Sequence, residues 1–320
     1  MAFIAAGRRV DMVSRNMRAP RFSGAVRACW LVSALLFSCA AEAVGTLEKI
    51  AEAGFISLGY RSASMPFSYV DGDRRPIGYA IDICLKMVEA IRRELERPDV
   101  NIKFVEVNSA TNVALLNSGE IDLECGSSAI TEEQLKLVAF SIPTFISTLR
   151  MIVRESSGIK SISNLAGKTV VTTKGTSSER VFSELNQLRV LGANLILAKS
   201  HVDAFSLLDT GNADAFVMDD VLIYSFRASA KDPAKFAISR DLLSHKAIAL
   251  MMRREDPAFK AVIDGELTSL IIHGEFKTIY HKWFESPIPP SHLVINLPPS
   301  HMMKEHFKAP GEWQIYSALP

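Results

Sequence analysis

The chain has 320 residues, of which 48% are hydrophobic and 22% charged, with a formal net charge of +1. That length supports a large core and more than one domain. The near-neutral balance argues against nucleic acid or an acidic surface as the main partner.

Residues 1–43 read as a targeting segment. Arg8, Arg9, Arg15, Arg18, Arg21 and Arg27 form a long basic stretch, followed by an apolar run from Ala28 to Ala41. Ala41-Glu42-Ala43 then offers a small-x-small cleavage site, which together is the pattern of a secretory signal peptide. The run is short for a transmembrane helix. Met17 offers a more ordinary start, and Leu36-Phe37-Ser38-Cys39 loosely matches a lipidation box. With no further membrane-length apolar run, the mature protein is expected in an exported, aqueous space. Cys29 and Cys39 fall in this segment. Of the others, Cys84 lies in a predicted helix and Cys125 at a strand end. An exported protein can join such a pair, and two separate buried thiols fit the pattern as well.

Thr46 to Ala53 reads as a short helix with Thr46 as its N-cap and Gly54 at its C-terminus. A strand from Phe55 to Arg61 follows, then an extended loop, Met65 to Tyr69, and a turn at Asp71-Gly72-Asp73. Gly78 to Leu95 has the apolar spacing of an amphipathic helix, and Pro98 ends it. Ile102 to Val107 is a strand and Thr111 to Leu116 a short helix. In the next stretch, IDLECGSSAITEEQ, Ile121 and Leu123 alternate with Asp122 and Glu124 as in a strand with one buried face. Gly126, Ser127 and Ser128 interrupt it, and Thr131 and Gln134 stand at capping-box spacing for a new helix. Hydroxyls and free N–H groups between a strand end and a helix N-terminus suit a small anion.

The βαβα order recurs from about 150 to 240. Ser147 to Val153, Thr169 to Thr173, Asn194 to Ala198 and Ala213 to Met218 read as strands. A second Ser/Thr-rich helix start, Gly175 to Glu179, takes the same role as the first. Helices also begin near His201 and at Asp219-Asp220. His245 to Met252 is a strand able to return to the first unit. Asp256-Pro257 opens a long helix with proline at its first position, Gly274 to Phe284 is another, and a proline-rich tail carries a short helix near Met303 to Phe307. The class is α/β.

No G-x-S-x-G, H-E-x-x-H, P-loop or G-x-G-x-x-G pattern occurs, and the seven histidines show no metal spacing. No enzyme activity, cofactor or metal is expected. Two lobes offering hydroxyl and N–H donors across a cleft can instead enclose a small polar molecule.

The chain from Thr46 to the tail resembles the periplasmic solute-binding proteins of polar amino acid ABC transporters, most closely the glutamate/aspartate-binding group. The resemblance rests on GYRSASMPFSY (Gly59 to Tyr69), IDLECGS (Ile121 to Ser127), GTSSE (Gly175 to Glu179), AFVMDD (Ala215 to Asp220) and KWFESPIPP (Lys282 to Pro290), five runs in order. It implies a two-lobed type II periplasmic binding fold with residues 44–147 in lobe 1, 148–248 in lobe 2, and 249–320 returning to lobe 1 and a tail. Hinge strands are expected near Thr148 to Ile152 and Ala247 to Met251. The implied ligand contacts are Arg61, Ser109, Ser127, Ser128, Gln134, Thr176, Ser177, His201 and Asp219. Among them Ser127, Thr176 and Ser177 would hold an α-carboxylate, Asp219 an ammonium and Arg61 a side-chain carboxylate. Ser127, Thr176 and Ser177 also read as simple helix caps. Two positions depart from the family pattern, which has arginines where this chain has Gln134 and Asn112. Lys174 is a nearby cation able to compensate. The implied protein is a monomer that captures an amino acid and delivers it to ABC permease subunits in the periplasm. A ligand-binding sensor, or a dehydratase on the same fold, is the alternative.

Overall fold

A computed structural model describes residues 45–311. The signal segment, its cleavage site and Cys29 and Cys39 lie outside the described residues.

Helix α1 (Thr46–Ala53) ends at Gly54 in the left-handed conformation, φ 73°. Gly45 stands at the N-cap, not Thr46. Thr46 is fully buried. Its N–H donates to Asp256 Oδ2 at 2.7 Å and its hydroxyl accepts from Arg253 Nη2 at 2.6 Å. The residue read as a cap therefore ties the start of the chain to its C-terminal third. Strand β1 (Phe55–Tyr60) leads into a meander of short strands, β2 (Ala63–Ser64), β3 (Ser68–Val70) and β4 (Pro76–Ile77), where an extended loop was expected. The turn at Asp71 does form, its Oδ1 accepting the N–H groups of Asp73 and Arg75. Helix α2 (Tyr79–Glu94) then starts at Gly78, φ 138°, where a Cβ would lie 2.3 Å from the Phe67 carbonyl oxygen. Only glycine permits that approach.

Strand β5 (Asn101–Glu106), helix α3 (Asn112–Asn117), strand β6 (Leu123–Cys125), the single turn α4 (Glu132–Leu135) and strand β7 (Ala139–Phe140) complete the first unit. The second comprises β8 (Phe145–Arg154), β9 (Thr169–Thr173), α5 (Ser177–Leu188), β10 (Asn194–Ala198), α6 (His201–Asp209), β11 (Ala215–Asp219), α7 (Asp220–Ser229), β12 (Phe236–Ile238) and β13 (Ser244–Ile248). Strand β14 (Met251–Met252) and helices α8 (Pro257–Ile272), α9 (Glu275–Phe284) and α10 (His301–His306) follow.

Two main sheets result. The first has the order β5-β1-β6-β14-β7 and the second β10-β9-β11-β8-β12, with β13 also on β8. Strand β6 lies between β1 (parallel) and β14 (antiparallel). Its alternation predicts one buried and one solvent face, but Asp122 and Glu124 are 0% exposed. Asp122 pairs with Lys49 and Arg253, at 2.9 and 3.2 Å, and Glu124 with Arg61 at 3.1 Å. Pairing of this kind offsets the cost of burying a charged carboxylate.

The chain changes sheet twice. It crosses between β7 and β8 at residues 141–144, ahead of the stretch near Thr148 expected from the sequence, and returns at Ala249 and Leu250. The crossings are bonded to each other. Ser141 N–H donates to Leu250 O at 3.0 Å, Leu250 N–H to Ser141 Oγ at 3.1 Å, and Thr144 N–H to Ile248 O at 2.8 Å. Behind them the core of lobe 1 is a ring cluster. Phe284 lies 5.0 Å from Tyr79, 5.0 Å from Phe145 and 4.5 Å from Tyr280, measured between ring centres. Tyr79 Oη donates to the Thr144 carbonyl at 2.6 Å, which fixes the first crossing to that core. Each buried ring of this kind contributes roughly 1.5–3 kcal/mol.

Cys84 and Cys125 form a disulfide that joins α2 to the end of β6. Of the two arrangements the sequence left open, the bonded one is present. It closes a loop of 41 residues, worth about 4 kcal/mol on a chain-entropy account.

Candidate functional site

Strand ends and helix starts of both lobes meet at a cavity of about 260 Å³, below the roughly 300–1,000 Å³ of drug-sized sites and so suited to a small ligand. From lobe 1 come Arg61, Ser64, Met65, Phe67, Ser109 and Ser127. From lobe 2 come His201 and Asp219, and β13 adds Lys246 and Ile248. A smaller cavity, about 50 Å³, adjoins the start of α5 and is walled by Ser177, Ser178, Asp219, Lys246 and Thr131 among others.

Arg61 follows β1 and is held on three sides. Its Nε donates to Glu124 Oε1 at 3.1 Å, Nη1 to Ser109 Oγ at 2.7 Å and Nη2 to Ser128 Oγ at 3.3 Å. Gly126 makes this possible, because a Cβ there would lie 2.2 Å from the Glu124 carboxylate. Burial pushes the Glu124 carboxyl above the usual carboxylate range, against the opposing pull of Arg61. A guanidinium fixed in this way is set for a planar carboxylate, at no further cost in side-chain order.

Lobe 2 supplies the other end. Asp219 closes β11 at the N-cap of α7 without a side-chain cap bond. Its Oδ2 instead accepts from Lys246 Nζ at 2.5 Å, and Nζ also lies 3.4 Å from Ser177 Oγ. His201, the first residue of α6, has its Nδ1 2.7 Å from Thr173 Oγ1. Burial lowers its pKa, Asp219 pulls the other way and Lys246 lowers it further. The ring is thus neutral at ordinary pH and offers polar contacts without charge. Beside Asp219, the Asp220 carboxyl is buried and pushed up to about 6 by desolvation, despite accepting from Ser147 Oγ and the Val221 N–H.

Arg61, Ser109, Ser127, His201 and Asp219, all nominated from sequence, thus come together on one cavity, and Ser177 lines the adjoining one. Ser128, Thr176 and Gln134 line neither. Ser128 sits behind Arg61 and also receives Asn112 Nδ2 at 3.4 Å. Thr176 is the N-cap of α5, accepting the Glu179 N–H at 3.2 Å and donating to Thr173 O at 2.7 Å. The capping box around α4 is half formed. Thr131 Oγ1 accepts the Gln134 N–H at 3.2 Å, while Gln134 Oε1 is buried without a partner among the described residues. Lys174 is exposed and lines neither cavity. Two cations without a role in the sequence pattern do line these cavities: Lys246, in a strand whose pattern indicates only a hinge, lines both, and Arg180 lines the smaller. A lysine standing directly before the apolar run Ala247–Met252 is the available signal.

A family model described as bacterial extracellular solute-binding proteins, family 3, matches residues 56–286. The chain belongs to this family. As a family 3 solute-binding protein it binds a solute and is not an enzyme. It is 41% identical over 285 residues to the L-glutamate/L-aspartate-binding protein of Pseudomonas aeruginosa, covering 88% of this chain and 94% of that one. It is 39% identical over 274 residues to the glutamate/aspartate import solute-binding protein of Escherichia coli, covering 85% and 91%. Among solved structures, a mutant of ArgBP from T. maritima superposes with a TM-score of 0.58 at 28% identity, covering 74% of this chain and 98% of that one. The two-lobed type II fold of amino-acid-binding proteins is therefore the fold of this solute-binding protein. Among the described residues no helix is long and apolar enough to cross a membrane.

Proposed function

We propose that this chain captures an acidic amino acid, glutamate or aspartate, between its lobes and delivers it to the permease subunits of an ABC importer. The carrying observation is a small interlobe cavity with the fixed guanidinium of Arg61 on one wall and the carboxylate of Asp219 on the other, in a chain 41% identical to an L-glutamate/L-aspartate-binding protein. Arg61 receives the side-chain carboxylate, Asp219 the ammonium, and Ser109, Ser127 and neutral His201 complete the polar wall. Two bonded crossings join the lobes, so closure over the ligand is a rotation about residues 141–144 and 249–250. Residues 1–43 direct export to the periplasm as a signal peptide, and the mature chain works as a monomer.

A thermal-shift screen over amino acids and small organic acids tests this. A ligand that binds only the native state at a hundred times its Kd stabilises by about 2.7 kcal/mol, a shift of several degrees for a chain of this size. Glutamate and aspartate are expected to give the largest shifts. A larger shift with a basic or apolar amino acid removes the reading.

A further inference from the structure

Lys246 has a position that neutralising Asp219 does not account for. It and Asp219 are the two residues common to the walls of both cavities. Lysine Nζ also lies 3.4 Å from Ser177 Oγ, at the first residue of the twelve-residue helix α5. A helix N-terminus carries partial positive charge and disfavours a neighbouring cation. Two positive ends therefore converge on a wall that Arg180, itself paired with Glu184, also lines, and among the described residues Asp219 is the one anion paired with Nζ. Ser178, second residue of the same helix, lines this wall too. It is 1% exposed, and among the described residues its hydroxyl has no hydrogen-bond partner. A buried donor without an acceptor, at a helix start and on the same wall as a cation, is suited to an anion.

We propose that Lys246 is the clamp for the ligand's α-carboxylate. This rests on the acidic amino acid reading above. An α-amino acid carries its carboxylate and its ammonium on one carbon, and the Asp219–Lys246 pair presents the complementary charges side by side. The ammonium docks on Asp219 while the carboxylate takes Lys246 Nζ and the start of α5. The side-chain carboxylate reaches Arg61, the other cation of the larger cavity. The loop residue Gln134 and the loop cation Lys174 take no part, since both lie off the two cavities. Specificity at the α-carbon is thus set from the strand that returns to lobe 1.

Calorimetry with L-glutamate, its α-amide and its γ-amide tests the assignment on wild-type protein, Lys246→Met, Lys246→Arg and Lys174→Met. In wild type the α-amide is expected to bind at least about 30-fold more weakly than glutamate, the loss that follows when one member of a buried charge pair is removed. In Lys246→Met glutamate falls by a similar factor, and its advantage over the α-amide shrinks to within about 3-fold, while its advantage over the γ-amide, read at Arg61, persists. Lys246→Arg keeps the preference for glutamate over the α-amide, and Lys174→Met changes nothing. Should Lys246→Met fail to fold, Lys246→Gln, which keeps a hydrogen-bond donor for Asp219 without the charge, is expected to lose the same preference. A glutamate to α-amide ratio unchanged by loss of Lys246 overturns the clamp and leaves Lys246 as the partner of Asp219 alone. A wild-type protein that binds neither glutamate nor aspartate overturns the underlying reading, and the clamp with it.

Discussion

The two ends of the cavity hold their charges in different ways. At the lobe 1 end, Arg61 is already bonded to Glu124, Ser109 and Ser128, and its acidic partner is wholly buried. At the lobe 2 end, Asp219 and Lys246 hold each other, and a neighbouring hydroxyl, Ser178 Oγ, lacks a partner among the described residues. In the proposed binding mode the first arrangement is a fixed guanidinium for the ligand's side-chain carboxylate, and the second is a charge pair whose members a zwitterion would engage one for one. One end would then contribute affinity through preorganisation, and the other would read the ligand's backbone.

The contrast is broken most severely at Arg61. Arg61→Ala leaves Glu124 buried without its cation, at an expected cost of about 3–5 kcal/mol of stability. It also removes binding of acidic amino acids. Urea unfolding within 1 kcal/mol of wild type, roughly the worth of a surface pair, would show that Arg61 is not held as described. The disulfide sharpens the same point, because Cys125 immediately follows Glu124. Replacing both cysteines by alanine is expected to lower stability by about 4 kcal/mol. Reduction of the wild type should do the same in denaturant melts.

At the other end, Asp220 gives a pH signature. Its folded-state pKa of about 6 lies above the ordinary value of 3.8, so the folded state binds the proton more tightly than the unfolded chain between those values. Stability contributed at this site therefore falls as pH rises from about 4 to 6, by about 3 kcal/mol in all. The difference in unfolding free energy between Asp220→Asn and wild type should change by that amount across the window and be flat above pH 7. A difference independent of pH would mean Asp220 ionises normally. The smallest effect is expected at Gln134, which belongs to neither end. Gln134→Arg should leave glutamate affinity within about 3-fold, the scatter of a substitution outside a site. A gain of tenfold or more would restore the loop after Ser127 to the carboxylate site.

Most of the architecture is legible in the sequence because hydrophobic period and helix caps are local. Thr169–Thr173 and Asn194–Ala198 form the strands read from their pattern, and Asp256-Pro257 starts α8 as its residues dictate. What the pattern misses is set by neighbours distant in sequence. Alternation in β6 signals a solvent face only if one face is uncovered, and here both are covered, with Asp122 and Glu124 neutralised by Lys49, Arg253 and Arg61. Strand β12 is three residues long and owes its existence to pairing with β8, so its own composition announces little. Whether Cys84 and Cys125 bond depends on the packing of α2 against β6, which spacing does not encode. The site follows the same rule. Arg61 and Asp219 stand at strand ends, where open α/β sheets offer a crevice to ligands. Lys246 is brought to Asp219 by the return crossing, and only the fold shows which side of that strand faces the cavity.

The central claim is that the cavity between the lobes takes an acidic amino acid with Arg61 on its side chain. It is met most directly by titrating the mature wild-type protein with L-glutamate and L-glutamine in a calorimeter. Saturable binding of glutamate, with glutamine at least about 30-fold weaker, is the expected result. Equal affinities for the two, or no heat with glutamate, would contradict it.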